Sequence, residues 1–271
     1  MFSVLILTKD EEANIGACLD SVSWCDDVVV LDSHSGDGTR EIAAARGARV
    51  FQRAFDDFGA QRNHALDNID FKHAWVFHLD ADERFNGELQ TECEEIIRKD
   101  ERSAYFVANR LMFLGHWIKH SSQYPYHQVR LVKRGEARFA KSGHGQKEDS
   151  ALRGTGYLRT PYNHLNFSKG ISDWVDRHNR YSSEEAEEAS SLCEGPIPVL
   201  DLLSGDSLVR KRALKRMHAR LPARWLFKFV YLYFVKGGFL DGYPGFAYCM
   251  LNGYYDFLIS LKIKEKARGL G

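Results

Sequence analysis

The sequence predicts an α/β fold with a mainly parallel central sheet and helices on both faces, followed by a helical, amphipathic C-terminal extension. Three observations predict it. Uniformly apolar, β-prone runs recur at residues 2–8 (FSVLILT), 27–32 (DVVVLD) and 74–79 (AWVFHL), and a strand apolar on both sides is one buried on both faces. Between these runs lie helix-like segments, the order that βαβ units require. The last 70 residues break the rhythm with basic and aromatic helical segments.

Each element has its own local reason. Residues 9–22 read as a helix, with Ile15, Cys18, Leu19 and Val22 on one face and acidic residues in the first turn. The strand at 27–32 is ended by a Ser/Gly/Asp cluster. Residues 39–46 give a second helix, 49–51 a short strand, 59–68 a third helix and 74–79 another buried strand. Further on, 104–113 and 128–133 read as strands separated by an aromatic, His-rich loop, and 138–148 ends in glycine and charge. Residues 172–191 read as a helix opened by Ser and Asp and rich in Glu. The Gly-Pro-Ile-Pro stretch at 195–198 is a breaker and the expected boundary. It divides the chain into an α/β domain at 1–195, with halves at about 1–103 and 104–195, and an extension at 196–271.

A chain of 271 residues with 44% hydrophobic and 27% charged residues can bury a sizeable core. Its composition excludes disordered, collagen-like and disulfide-scaffold classes. Five scattered cysteines (18, 25, 93, 193 and 249) include no CxxC or Cys/His pair of zinc-finger spacing, so reduced, buried thiols are expected. No basic n-region and apolar h-region open the chain, and no window reaches the roughly 18–20 apolar residues that span a bilayer. A cytosolic protein is expected.

The formal net charge is zero, which argues against a nucleic-acid partner. The zero hides an asymmetry: residues 201–271 hold 13 Lys+Arg against 5 Asp+Glu, whereas the first 200 hold 24 against 32. Residues 208–221 read as a basic amphipathic helix, with Leu214, Met217 and Leu221 opposite Arg210, Lys211, Lys215 and Arg216. Residues 225–257 carry 13 of the 34 aromatics, interrupted by Lys228, Lys236, Asp241 and Pro244. That pattern suits the interface of an anionic membrane, approached through 208–271, rather than a span across it. An aromatic helix pair closing the domain is the alternative.

The chemistry-bearing residues fall at the C-terminal ends of the predicted strands, where open α/β sheets place ligands. They are Thr8-Lys9-Asp10-Glu11-Glu12, then Asp32-Ser33-His34-Ser35-Gly36-Asp37-Gly38-Thr39, then Asp80-Ala81-Asp82-Glu83. Each alone has an ordinary account as a helix-dipole device, a turn with an N-cap, or a solvated strand end. Together they are more specific. A D-x-D after a buried strand offers two carboxylates, and hard oxygen ligands favour Mg2+ or Mn2+, which also bind substrate phosphates. A metal-bridged diphosphate is a stabilised leaving group, as transfer of a sugar from a nucleotide diphosphate requires.

The ordered motifs ILTKDEE, VLDSHSGDGT, GAQRNHAL and HLDADER resemble glycosyltransferase family 2, whose Rossmann-like nucleotide-diphospho-sugar transferase fold is known as GT-A. The resemblance is to bacterial enzymes of lipopolysaccharide core, capsule and exopolysaccharide synthesis. It covers residues 1–135, then more loosely YPYHQVRLVKRG, GHGQKE and KGGFLDGYPGF. It implies that residues 1–103 bind the nucleotide-sugar and 104–195 the acceptor. Thr8, Lys9 and Glu11 would line the nucleotide pocket, and Asp32 would bond the base, uracil for a UDP-sugar. Arg62 would sit near the diphosphate or base. Asp80, Ala81 and Asp82 are the D-x-D segment, with Asp82 preferred as the direct metal ligand and Asp80 as its companion. Asp10 departs from the family's Asn, and His34 and Gly36 stand where a small residue and Thr are common.

Inverting transfer needs a carboxylate to deprotonate the acceptor hydroxyl. The resemblance makes Glu148 the first choice and Asp149 the second, with His144 orienting the acceptor or contacting the metal or phosphate; a polar surface turn at GHGQKED is the ordinary account. On the 172–191 helix, His178 and Tyr181 belong to an H-N-R-Y element that the resemblance assigns to acceptor or phosphate binding; packing of that face is the ordinary account. The implied function is a metal-dependent inverting glycosyltransferase, peripheral on the cytosolic face of the inner membrane, taking a nucleotide-sugar donor and a saccharide or lipid-linked acceptor. A sugar-1-phosphate nucleotidyltransferase would carry a glycine-rich loop after the first strand, and TKDEE has none. A non-catalytic saccharide-binding relative would have no need of the intact D-A-D.

Overall fold

The apolar run at the N-terminus forms β1 (Ser3–Thr8), whose Val4, Leu5 and Ile6 are fully buried on alternating faces. In the computed structural model β1 is followed by α1 (Glu12–Asp20), β2 (Val28–Asp32), α2 (Thr39–Ala45), β3 (Arg49–Gln52), α3 (Phe58–Asn68), β4 (Trp75–Asp80), β5 (Glu83–Arg84) and α4 (Gly87–Lys99). Then come β6 (Ala104–Phe113), β7 (His116–Trp117), β8 (Tyr126–Lys133), β9 (Ala137–Ser142), β10 (Gly145–Ala151), β11 (Thr155–Tyr157), β12 (Tyr162–His164), α5 (Gly170–Leu192), α6 (Arg224–Val230) and α7 (Gly242–Ala267). The structure describes residues 1–142, 145–192, 200–207, 209, 210, 213, 214, 217 and 223–269. The expected boundary at 195–198, Cys193 and most of the expected helix at 208–221 lie outside them. The chain divides into two compact units, Met1–Met112 with Gln123–Ser168, and Phe113–Ser122 with Lys169–Gly271.

The first unit is built on a sheet of order β3-β2-β1-β4-β8-β6-β12-β5. Strands β3, β2, β1 and β4 run parallel, in the register Thr8↔Asp32 and Leu7↔Asp80. The three acidic clusters therefore leave the same edge of the sheet side by side. Beyond β4 the sheet is mixed, because β8 runs antiparallel to both β4 and β6. One apolar layer joins Val4, Ile6, Phe77 and Leu79 to Ile15, Leu19 and Leu89; the other joins Leu5, Val29, Leu31 and Val76 to Ala65, Leu66 and Phe139. Burial on both faces is why these strands are apolar throughout.

Helix α4 is an addition to the sequence reading. Asn86 caps it by accepting from the Leu89 N–H at 2.9 Å, Leu89 and Cys93 are buried, and Asp100 ends it in the left-handed region at φ 49°. All four described cysteines are free, and burial pushes the Cys18 and Cys93 thiols up. Both are inert small core residues, as expected.

The second unit is helical. Helix α5, which a division at 195 would leave with the N-terminal part, packs here on α7. The Tyr255 hydroxyl donates to Glu185 at 2.8 Å, and Arg224 pairs with the buried Asp256 at 3.1 Å. Asp241, 3% exposed, accepts from the backbone N–H groups of Lys119, His120 and Ser121 at 3.3, 3.0 and 3.2 Å, and bonds His120 Nδ1 at 2.7 Å. It fastens residues 113–122 to the turn before α7. Among the described residues, no helix is long and apolar enough to cross a membrane.

Candidate functional site

Two loops interlock at the ends of β1 and β2. The Thr8 hydroxyl donates to Asp32 at 2.9 Å, and Asp32 also accepts from the Ser35 N–H at 2.8 Å and hydroxyl at 2.5 Å. Asp32 is therefore a fully buried, fixed acceptor. Lys9 Nζ reaches the His34 carbonyl at 2.7 Å. Asp10 and His34 are both left-handed, at φ 53° and 58°, a conformation that Asp, Asn and His tolerate best. The Asp10 carboxylate accepts from the Gly36 N–H at 2.7 Å. Asp10 thus holds the second loop. Glu11 precedes α1, accepts from Asn14 at 2.7 Å, and takes Thr39 as acceptor for its own N–H at 2.8 Å.

Next to them β4 delivers D-A-D. Ala81 lies in the apolar core, 3% exposed, so the aspartates on either side leave the strand in different settings. Asp80 meets two guanidinium groups, Arg62 from α3 at 2.7 Å and Arg130 from β8 at 3.0 Å. Arg130 also lies 2.5 Å from Glu83 and 3.1 Å from the Tyr162 hydroxyl, and Glu83 accepts from the Asp80 N–H at 2.9 Å. Arg62, Arg130 and Glu83 are each 3% exposed or less. Burial alone would raise Asp80, but Arg130 and Arg62 outweigh it and hold the carboxyl well below its usual range. Burial dominates at Glu83 and pushes its carboxyl up. Buried Arg62, Arg130 and Glu83 and the partly exposed Asp80 thus form one cluster, with neutral, fully buried His78 beneath it.

Asp82 pairs beside that cluster with a histidine. Its carboxylate lies 3.2 Å from His164 Nε2, brought in by β12, whose His164 is in register with Glu83 of β5. Burial works against the charged imidazole, but Asp82 prevails and raises its pKa. Among the described residues no group of three His, Cys, Asp or Glu could hold a metal by itself. Asp82 and His164 supply one oxygen and one nitrogen donor. A divalent ion bound there would need its remaining ligands from substrate oxygens and water, the habit of Mg2+ and Mn2+ sites that take substrate phosphates. The imidazole favours Mn2+ of the two.

The first unit thus brings together Thr8, Lys9, Glu11, Asp32, Arg62, Asp80 and Asp82. His144 and the Glu148 side chain lie outside the described residues. The Glu148 backbone belongs to β10, opposite Phe139, and the register slips between Glu148 and Ser150. Asp149 occupies that slip and is exposed. His178 and Tyr181 belong to the second unit. The His178 ring stacks on Trp174 at 3.6 Å, its Nδ1 lies 2.7 Å from the Trp174 carbonyl, and Tyr255 packs on it edge-on at 5.0 Å. Burial lowers its pKa, so it is a neutral ring within the helix pair. In the sequence Glu83 reads as the end of the Asp80-Ala81-Asp82-Glu83 cluster, without a role; Arg130 and His164 are not singled out by it, and the one cue to Arg130 is a charge inside the apolar strand VRLV.

Residues 3–148 match the family model of glycosyl transferase family 2. The chain belongs to this family. It is 28% identical over 274 residues to an uncharacterized glycosyltransferase of Rickettsia typhi, covering 97% of this chain and 86% of that one. It is 26% identical over 271 residues to the lipopolysaccharide core biosynthesis glycosyltransferase LpsC of Rhizobium meliloti, covering 97% and 92%. Among solved structures, residues 1–349 of S. aureus TarS match with a TM-score of 0.48 and 14% identity, over 99% of this chain and 91% of that one. This family 2 glycosyltransferase carries its D-A-D, Arg62 and Arg130 inside the matched span, whereas His164 lies beyond it.

Proposed function

We propose that this glycosyltransferase is a metal-dependent, inverting enzyme that moves a sugar from a UDP-sugar to a saccharide or lipid-linked acceptor in bacterial lipopolysaccharide or other cell-surface polysaccharide synthesis. The observation that carries the reading is the division of labour within D-A-D. Asp80 is neutralised by Arg62 and Arg130, while Asp82 faces His164 at the edge where Thr8 and Asp32 also emerge. The similarity to LpsC, named for lipopolysaccharide core biosynthesis, supports the acceptor class.

In this reading Asp82 and His164 hold Mn2+ or Mg2+, with Asp80 as a positioning carboxylate. Bound there, the ion offsets the charge that grows on the departing diphosphate. Thr8, Lys9, Glu11 and Asp32 hold the nucleoside, Asp32 as the acceptor for the base. Arg62 acts on the diphosphate through Asp80, to which its guanidinium is bonded. The acceptor hydroxyl attacks the anomeric carbon, the bond to the diphosphate breaks, and Glu148 or Asp149 takes the hydroxyl proton. His144, His178 and Tyr181 stand as acceptor contacts. Residues 1–103 serve the donor, 104–195 the acceptor, and 196–271 form the extension of an enzyme peripheral to the cytosolic face of the inner membrane.

The test is a screen of UDP-, GDP-, dTDP- and CMP-sugars with Mn2+, read by thermal shift and by slow donor hydrolysis. UDP-sugars should stabilise and be hydrolysed, and Asp82→Ala should abolish turnover. Undiminished turnover in that variant would overturn the metal-site reading.

A further inference from the structure

Helix α7 carries two apolar stripes. One is buried, through Gly245, Cys249, Gly253 and Ile259. The other is exposed, through Tyr243, Phe246, Met250, Tyr254, Phe257 and Leu261, at 39% to 72% exposure. Their spacing of three and four residues confines the exposed six to an arc of about 80° at 100° per residue, over roughly 27 Å of helix. Helix α6 and the π-helical turn after it, Tyr231–Val235, expose further apolar side chains, Phe227, Tyr231 and Phe234, at 57%, 47% and 60% exposure. Ring contacts tie the two together: Trp225 lies 5.9 Å from Phe257, and Phe229 lies 6.0 Å from Phe246. At roughly 200 Å² per aromatic side chain, these nine half-exposed groups amount to on the order of 900 Å². The largest apolar patch of a typical monomer is about 300–600 Å².

The charge on these elements is predominantly basic, with Glu265 the one exposed carboxylate of α7. Residues 207–240 contain no Asp or Glu, and within 241–261 the two carboxylates, Asp241 and Asp256, are 3% and 6% exposed and bonded inward. Lys236 is exposed at the edge of the face, and Lys264, Lys266 and Arg268 are exposed at the end of α7. The sequence just ahead adds Arg210, Lys211, Arg212, Lys215, Arg216 and Arg220. A second copy seated on the face would bring Lys228 and Lys236 against like charges, with Glu265 at the far end of α7 the one exposed carboxylate of these elements to answer them. An anionic surface with an apolar interior meets both features at once.

We propose that this face docks on an anionic phospholipid bilayer, lying in the headgroup interface with its aromatic side chains inserted and its lysines on the phosphates. The inference specifies the surface through which the membrane localisation proposed above is reached, and it does not depend on the sugar-transfer chemistry.

The test floats the full-length protein with vesicles of phosphatidylcholine alone and of phosphatidylcholine with roughly a quarter phosphatidylglycerol. Binding is expected to the anionic vesicles, weakened in 0.5 M salt at a screening length of about 4 Å. The double variant Phe234→Ser/Tyr243→Ser should bind roughly tenfold or more weakly, with unchanged circular dichroism and melting temperature, since both side chains are in solvent. Lys228→Glu/Lys236→Glu should lose the preference for anionic lipid. Asp82→Asn should float like wild type, so that failure of the catalytic reading and failure of the docking reading are told apart. Absence of wild-type flotation would overturn the proposal, as would equal flotation by the serine variant. Dimers in solution that the serine variant dissolves, without vesicle binding, would overturn it in favour of a second copy.

Discussion

Arg130 Nη2 lies 3.0 Å from Asp80 Oδ2 and 2.5 Å from Glu83 Oε1, so one buried guanidinium answers two carboxyl groups. Arg130 is 2% exposed and comes from a strand antiparallel to β4. Removing one partner of such a cluster leaves the others buried without a counter-charge, and that loss exceeds anything a surface ion pair contributes. Arg130→Met is expected to destabilise the protein by roughly 3–5 kcal/mol, and Arg130→Lys by less, as measured by urea denaturation. A loss under about 1 kcal/mol for Arg130→Met would mean that the cluster is not what holds the strand end.

The two aspartates of D-A-D should separate in their effects. Asp82→Asn should weaken Mn2+ binding in the presence of UDP and depress transfer by more than about a hundredfold, while shifting stability by under about 1 kcal/mol. Asp80→Asn should cost stability, because Arg62 and Arg130 lose their shared acceptor. His164→Gln should lower Mn2+ affinity by roughly 10–100-fold, read by electron paramagnetic resonance of free Mn2+. Chelation with EDTA should stop turnover, and added Mn2+ should restore it.

Glycine at 245 is fixed by a backbone approach. A Cβ there would come within 2.2 Å of the Gly238 carbonyl oxygen, and one at 238 would meet Cys249 Sγ at 2.8 Å. In a helix Ala is ordinarily favoured over Gly by about 1 kcal/mol, but a rigid carbonyl cannot yield as a side chain can. Gly245→Ala should therefore lower stability by about 1–3 kcal/mol or more. Gly87→Ala, with nothing within 4 Å, should be neutral or slightly stabilising. Melting curves of the two variants decide the point.

Asp241 gives a pH dependence of known sign. Burial would raise its pKa, but His120 and the N–H groups of His120 and Ser121 outweigh burial and lower it. A carboxyl group depressed in the folded state contributes stability above its unfolded pKa of about 4, and that contribution is lost as pH falls through the folded value. The difference in urea midpoint between wild type and Asp241→Asn should therefore be constant near neutrality and shrink below about pH 4. A difference that grows on acidification would contradict the arrangement.

The parallel half of the fold was legible because its signals are local. The runs at 2–8, 27–32 and 74–79 became β1, β2 and β4 with ends shifted by a residue or so. Helix α4 went unread although Leu89, Cys93, Ile96 and Ile97 have helical spacing. D-A-D was legible for the same local reason. The residues that give it two characters were not, because Arg130 and His164 reach Asp80 and Asp82 from 50 and 82 residues downstream. A lone charge in VRLV reads as the solvent side of an alternating strand. Only the pairing of β8 with β4 turns it inward. The three-residue β12 carries too little pattern to be recognised by itself.

The clasp between Asp241 and the backbone of Lys119, His120 and Ser121 also sets an order of events during synthesis. Residues 113–122 leave the ribosome more than a hundred residues before the carboxylate that receives their N–H groups. Until then that short excursion has no acceptor from the helical unit, and the chain on either side of it belongs to the sheet. No single cut divides the two units, since the chain passes between them at 112/113, 122/123 and 168/169. Deleting the C-terminal helices would therefore strip three N–H donors of their acceptor as well as removing a tail. A carboxylate late in the sequence closes a loop laid down more than a hundred residues earlier.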